Sequence, residues 1–389
     1  GGTGSGDVAE AYTVSLEEGL QHAGYKMDAG IKKMYEEYID AEEAKIDKKK
    51  YMHVTPPRIL EYNLPDEVLR KKAEEADIAM VTIGRNAGEY TDRRVEDDFN
   101  LCDDEMQMLK KVTELFHQAG KSVVVILNIG GVVETASWRD LPDAILVAWQ
   151  GGQESGNSLA DILSGKVSPS GKLPMTFPIR YEDAASSKNF PVIEAEEAVN
   201  IYREFFTGAK GVDRPNVDYT LYEEGIFVGY RYFDSFDVAT AYPFGYGLSY
   251  TDFKYSKPIC VKTDVGYEFS CTVTNSGKVP GKEVVQLYVA APGLDMVKPE
   301  KELRAFAKTR LLAPGESETV KMVVKKSDLS SFDESSSCWQ VEAGKYRALW
   351  GTSSTDIRLQ KKFDVKDEIK GPEMHRVLLP KRELNELKK

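Results

Sequence analysis

The segment DIAMVTIGRNAGEYTDR, residues 77–93, decides the fold. Its apolar run from Ile78 to Ile83 is short and dense, the signature of a strand buried in a parallel sheet. Loops just past such strands are where open α/β sheets place their chemistry. This loop sets down a glycine-flanked carboxylate, Glu89, between Arg85 and the pair Arg93 and Arg94. Two readings stand side by side. A carboxylate paired with one of these arginines has a lowered pKa and is a poor acid; one left clear of them is a candidate proton donor.

Working outward, α/β signals continue in both directions. ILEYNL (59–64) reads as a strand, PDEVLRKKAEEA (65–76) as a helix, and CDDEMQMLKKVTELFHQAG (102–120) as an amphipathic helix ended by Gly120. KSVVVILNIG (121–130) and DAILVAW (143–149) read as strands, with a short helix near GVVETASW (131–138) and another in ESGNSLADILSG (154–165). Strands alternating with helices predict a mostly parallel sheet covered on both faces. From about Val14 to Lys50 the pattern is helical, with KKMYEEYIDAEEAKIDKKK forming a solvated face.

Past KLPMTFP the texture changes. A stretch from about Arg180 to Asp218 has few clear periods and is expected to be a surface excursion. The aromatic-rich YEEGIFVGYRYFD (222–234) then leads into the glycine turn PFGYGLSY (243–250). From Phe253 the helices stop, and about seven short strands in about 110 residues fit an immunoglobulin-like or fibronectin type III-like sandwich. The tail, 366–389, is charged and punctuated by Pro372 and Pro380, and reads as a linker or clasp. The expected class is therefore α/β plus all-β: an open, mostly parallel sheet flanked by helices over 1–250, a fibronectin type III-like β-sandwich over 251–365, then the tail.

Composition narrows the function. With 63 Asp and Glu against 51 Lys and Arg, the net charge of −12 argues against binding nucleic acid or anionic membranes. No apolar stretch approaches the roughly 20 residues that span a bilayer. Four cysteines without CxxC spacing read as free thiols, and four scattered histidines offer no metal spacing. No metal or cofactor is expected. The opening GGTGSGDV has glycines but no preceding strand, so a dinucleotide loop is disfavoured. Lacking an initiator Met and a signal core, it reads as lying downstream of the gene's start; a cytoplasmic location is expected, with secretion left open. GQESGN is not a serine nucleophile elbow. What remains are two carboxylates in glycine-rich loops past strands, Glu89 and Glu154, and Glu154 equally suits the start of a helix.

The motifs GGTGSGDV, IGRNAGEYTDR, the block ASWRDLPDAILVAWQGGQESGNSLADILSGKVSPSGKLPMTFP and AYPFGYGLSY resemble the family 3 glycoside hydrolases. NSGKVPGKEVVQLYV, KELRAFAKTRLLAPGE and SDLSSFD are similar to that family's fibronectin type III-like module. The resemblance implies part of a retaining exo-β-glycosidase, β-glucosidase-like or a β-xylosidase, acting on a β-linked oligosaccharide or aryl glycoside. In that family a (β/α) barrel supplies an Asp nucleophile and the α/β sandwich domain an acid/base Glu in a GExxDR-like motif, which here is Glu89. Tyr90 and Thr91 stand where many relatives have Gly and an aromatic residue. Some branches use the position matching Glu154, which stays as the rival.

The barrel's motifs are absent from this sequence, so the barrel, in the same enzyme or a companion chain, is the implied partner; the charged tail favours its following these domains. Arg85, Asp92 and Arg93 are expected to shape the loop, with Arg93 paired to Asp92 or another acid. Tyr202, Phe205 and Phe206 are candidate platforms for the substrate. A non-catalytic carbohydrate-binding or assembly module, and a nucleotide-binding α/β protein, are the alternatives from other classes.

Overall fold

The computed structural model describes residues 10–46, 58–85, 93–189, 221–380 and 383–389. They form two compact units: one from the described residues up to Ser164 with Ile179–Tyr181, the other from Gly165–Pro178, the described residues of Glu182–Asn189, and those from Leu221 on. The stretch 221–250, which sequence texture groups with the α/β part, thus clusters with the sandwich.

The first unit holds β1 (Ile78–Arg85), β2 (Ser122–Ile129) and β3 (Ala144–Val147) in the order β1-β2-β3, all parallel. The central strand is the most buried, with Val123, Val125, Leu127 and Ile129 fully enclosed. The chain returns from β1 to β2 through α4 (Asp103–Gln118), whose Leu109, Val112 and Phe116 are buried and which stops at Gly120, φ +70°. The preceding helix, α3 (Asp66–Glu75), buries Leu69 and Ala73.

Three local expectations change. The helical stretch from Val14 is two helices, α1 (Leu16–His22) and α2 (Ala29–Glu43), parted at Gly24, φ +90°. ILEYNL forms no strand: the Leu64 N–H bonds the Tyr62 carbonyl at 3.0 Å and the Tyr62 N–H bonds the Glu61 carboxylate at 3.1 Å. Those donors are used locally, and a ladder needs them free. GVVETASW makes a single turn, in which the Arg139 N–H reaches the Thr135 carbonyl at 2.8 Å and the Glu134 carboxylate takes the Ser137 N–H at 2.7 Å. Trp138 is buried there.

The pin of this unit is an ion pair. Arg85, the last residue of β1, forks onto Glu105 of α4 with both bonds at 2.8 Å, and both side chains are almost wholly buried. Arg85 also donates to the carbonyls of Asp98, Gly84 and Asn100, while Glu105 takes the Cys102 N–H at 3.0 Å and Arg58 at 3.2 Å. Burial opposes the ionised Glu105, but the Arg85 hydrogen bonds and charge, with the Cys102 N–H and Arg58, hold its pKa below the usual range.

The first unit also holds α5 (Ser155–Leu163); in the second unit the sandwich follows α6 (Tyr230–Ser235) and the two-stranded pairing of β4 (Phe177–Pro178) with β5 (Thr240–Tyr242). Two antiparallel sheets face each other. One has the order β10-β7-β6, from β6 (Phe253–Lys262), β7 (Gly266–Asn275) and β10 (Ser317–Lys325). The other has β14-β13-β8-β9, from β8 (Val284–Ala290), β9 (Glu302–Lys308), β13 (Gly344–Gly351) and β14 (Ile357–Val365). Their inner faces share a core containing Phe269, Leu287, Tyr346, Trp350 and Phe363.

Gly245, at φ +81°, sits against β8, where a Cβ would lie 2.0 Å from the Gln286 side chain; that amide donates to the Gly245 carbonyl at 3.0 Å. A small sheet of β11 (Ser331–Asp333), β12 (Cys338–Val341) and β15 (Ile369–Lys370) takes up the start of the tail, and Asn385 and Leu387 near its end bond Glu223.

Two predictions follow from these polar anchors. Removing one partner of a buried ion pair costs about 3–5 kcal/mol, so Glu105→Gln should lower the urea midpoint of the α/β unit strongly at pH 7. Because the folded-state pKa of Glu105 lies below the unfolded value, near 4.3, its stabilisation is present above that pH and fades as pH falls through the folded-state value. The gap between wild type and variant should therefore narrow on acidification. In the sandwich, Asn275 is fully buried and donates to the Val279 and Leu312 carbonyls, both at 2.8 Å, while accepting from Thr251 at 2.7 Å. Asn275→Ala leaves those partners unmet and should cost about 2–3 kcal/mol in chemical denaturation.

Candidate active site

The three parallel strands end on one edge, and their loops are laced together there. Arg93, on the loop after β1, places its guanidinium on the Asp98 carboxylate at 3.0–3.2 Å and donates to the Val132 carbonyl, in the loop after β2, at 2.7 Å. The two glycines that close β2 make room. A Cβ on Gly131 would lie 2.9 Å from the Arg93 guanidinium, and one on Gly130 3.0 Å from the Gln150 amide of the loop after β3. The turn between Arg93 and α4 is folded over Asp97, at φ +60°, a conformation that Asp tolerates better than most residues.

Glu89 and Asp92, with Tyr202, Phe205 and Phe206, lie outside the described residues. The arginines on either side of the Glu89 loop are described, and both hold other acids: Arg85 holds Glu105, and Arg93 holds Asp98. Asp98 sits in the acidic run VEDDF and Glu105 in CDDE, at the start of the helix expected over 102–120. Glu105 was findable as the fourth residue of a capping box at the start of α4, with Cys102 in the position usually given to Ser or Thr.

Glu154 caps α5 (Ser155–Leu163) by position, as the sequence allows, yet its side chain makes no capping bond. Instead it accepts the Tyr12 hydroxyl and the Asn157 amide, each at 2.6 Å. Those two hydrogen bonds, Tyr12 first, lower its pKa. Tyr12, 142 residues away in sequence, has no motif to announce it.

The segment around it is strapped to the loop: the Val14 N–H reaches the Gln153 carbonyl at 2.8 Å, the Gly156 N–H the Val14 carbonyl at 3.0 Å, and the Gln153 amide the Tyr12 carbonyl at 3.0 Å. Beneath them α1 and α5 cross with glycine against glycine, since a Cβ on Gly19 would lie 2.1 Å from Gly156 and one on Gly156 1.9 Å from the Ser15 carbonyl. The loop itself begins at Trp149, held at φ +54°, which costs a bulky residue on the order of 1 kcal/mol. Tyr12, Gly151, Gly152, Glu154, Ser155 and Ser158 border an open cleft of about 420 Å³.

A parallel-sheet unit with carboxylate-bearing loops at its strand ends, accompanied by a fibronectin type III-like sandwich, is the pairing found in modular glycoside hydrolases. Comparison with known proteins agrees. Residues 1–230 match the model of the glycosyl hydrolase family 3 C-terminal domain, and residues 283–354 that of the fibronectin type III-like domain. The chain belongs to glycoside hydrolase family 3.

It is similar to beta-glucosidase A of Butyrivibrio fibrisolvens, 38% identical over 410 residues that cover 92% of this chain and 45% of that protein. A beta-glucosidase of Ruminococcus albus is 36% identical over 369 residues, covering 92% of this chain and 35% of that one. Among solved structures, beta-glucosidase 3B from Thermotoga neapolitana in complex with glucose superposes with a TM-score of 0.84 at 42% identity, covering 95% of this chain and 49% of that one. The chain thus spans half or less of the length of these relatives, and among its described residues there is no (β/α) barrel.

The glycine crossing is directly testable. Overpacking typically costs about 1–3 kcal/mol, so Gly156→Ala should lower the thermal midpoint by several degrees. Gly152→Ala, whose Cβ meets nothing within 4 Å, should leave it in place.

Proposed function

We propose that this chain is the acid/base-bearing part of a retaining exo-β-glycosidase of the β-glucosidase type, which releases terminal β-linked sugars by double displacement. The observation that carries the reading is the occupancy of the arginines that bracket the Glu89 loop: Arg85 and Arg93 are engaged by Glu105 and Asp98. Both guanidiniums are thus met by described acids, which supports reading Glu89 as a proton donor rather than as their structural counter-ion. The family resemblance supports the same residue, as the Glu of the motif GEYTDR.

Retention requires two carboxyl groups about 5–5.5 Å apart, one attacking the anomeric carbon and the other donating a proton to the departing oxygen. Glu89 protonates the leaving group in the first half-reaction, then takes a proton from the water that opens the glycosyl-enzyme. The nucleophile is an Asp of the barrel, supplied by the same enzyme or a companion chain. To hold its proton near neutral pH, Glu89 must be drawn out of water when the substrate and barrel cover it. Glu154 suits this task less well, because Tyr12 and Asn157 stabilise its ionised form. The sandwich, which carries no comparable loop chemistry, braces the catalytic part.

The test is Glu89→Gln in the full-length enzyme. Activity on substrates with poor leaving groups should fall by about 10²–10⁴-fold, the basic limb of the pH profile should vanish, and azide should restore turnover of an activated aryl glucoside. Wild-type-like activity on a β-linked disaccharide would exclude Glu89 from the role.

A further inference from the structure

The cleft beside Glu154 has a chemistry of its own. Its carboxylate is kept ionised and aimed by two short hydrogen bonds, from Tyr12 and Asn157, and it does not cap the helix on which it stands. Around it lie the hydroxyl-bearing Ser155 and Ser158 and the bare backbone of Gly151 and Gly152, with the exposed Tyr12 ring on one side. Gly151 is there because any Cβ would lie 2.1 Å from the Ser155 hydroxyl oxygen, whereas the space around Gly152 is empty to 4 Å. A single carboxylate amid hydroxyls and an aromatic ring repels anions and, with no second acid among the described lining residues, makes a poor cation site. It suits a neutral, hydroxyl-rich ligand: carboxylates accept strongly from O–H donors, and aromatic rings cover the apolar faces of such molecules.

The cleft's place on the sheet says which ligand. It opens where β3 ends, on the edge at which β1 ends, with only β2 between them; at about 4.8 Å per strand that is about 10 Å. We infer that the Tyr12–Glu154 cleft is a binding site for the hydroxyl groups of the leaving-group saccharide, with Glu154 as a positioning residue that accepts from one of them. The inference rests on the reading of Glu89 as the acid/base. It gives Glu154 a task that its ionised state serves: a carboxylate only accepts, and accepts strongly, whereas a proton donor must hold its proton. The strapping of residues 12–15 onto this loop, together with the left-handed turn at Trp149, fixes the acceptor before substrate arrives.

The experiment compares Glu154→Gln and Tyr12→Phe in the full-length enzyme with a β-linked disaccharide as substrate. Both variants keep the size of the side chain, and a thermal midpoint within a few degrees of wild type verifies the fold. Loss of ground-state positioning raises KM and leaves kcat nearly alone. KM for the disaccharide should rise about tenfold in Glu154→Gln and several-fold in Tyr12→Phe, with kcat changed less than twofold and the basic limb of the pH profile unmoved. An unchanged KM in both variants overturns the inference. A collapse of kcat in Glu154→Gln that azide reverses also overturns it, and moves the acid/base role from Glu89 to Glu154. Should Glu89→Gln prove active while the KM effect persists, the reading of Glu89 fails and the cleft stands as a saccharide site.

Discussion

The grip of Arg85 on Glu105 is the constraint on which the α/β unit depends. It joins the last residue of β1 to the first turn of α4, so the loop between them starts and ends at fixed points. Burying two full charges is unfavourable unless their hydrogen-bonding capacity is met. Here the guanidinium also serves the Gly84 carbonyl in β1 and the Asp98 and Asn100 carbonyls in the loop, and the carboxylate also serves the Cys102 N–H. The same pair of residues thus closes the strand, caps the helix and gathers the connection between them. The neighbouring Arg93–Asp98 pair extends this lattice to the loop after β2.

Much of this architecture is legible in the sequence because it rests on period and punctuation. The runs around Val81 and Val125 declare buried strands, and Leu109, Val112 and Phe116 recur at helical spacing before Gly120. The two facing sheets of the sandwich hold seven strands, where about seven were expected. Where a short-range bond pre-empts a long-range one, the pattern misleads. Residues 59–64 have the composition of a strand, but Tyr62 stacks on Tyr38 at 4.7 Å and the adjoining backbone turns on itself. Arg93, expected to pair with Asp92 or another acid, meets Asp98 five residues away, whereas nothing in the spacing pointed from Arg85 to Glu105, 20 residues on. Spacing along a chain ranks contacts only inside a regular element.

The sandwich illustrates a different economy, in which polar groups inside the unit are matched rather than avoided. Lys298 and Glu342 form a pair at 2.6 Å with both side chains nearly sealed from solvent, and the backbone of Asp295 and Met296 completes the carboxylate's bonding. Lys301 meets Asp234 at 3.0 Å in the same manner, tying β9's approach to α6. Such pairs are a weak source of net stability, yet they penalise any register that separates them. Gln286 does likewise for the glycine turn, bonding the Gly245 and Thr352 carbonyls while Tyr288 donates to its oxygen.

The crossing of α1 over α5 has a consequence for how this protein can diverge. Gly19 and Gly156 meet with no volume to spare, so neither helix accepts a side chain at its contact point unless the axes separate. Separation would slide Val14 off Gln153 and Tyr12 off Glu154, because the same few residues carry both the contact and the straps. A single substitution at either glycine therefore weakens the packing and the straps together, which ties the two positions to one constraint.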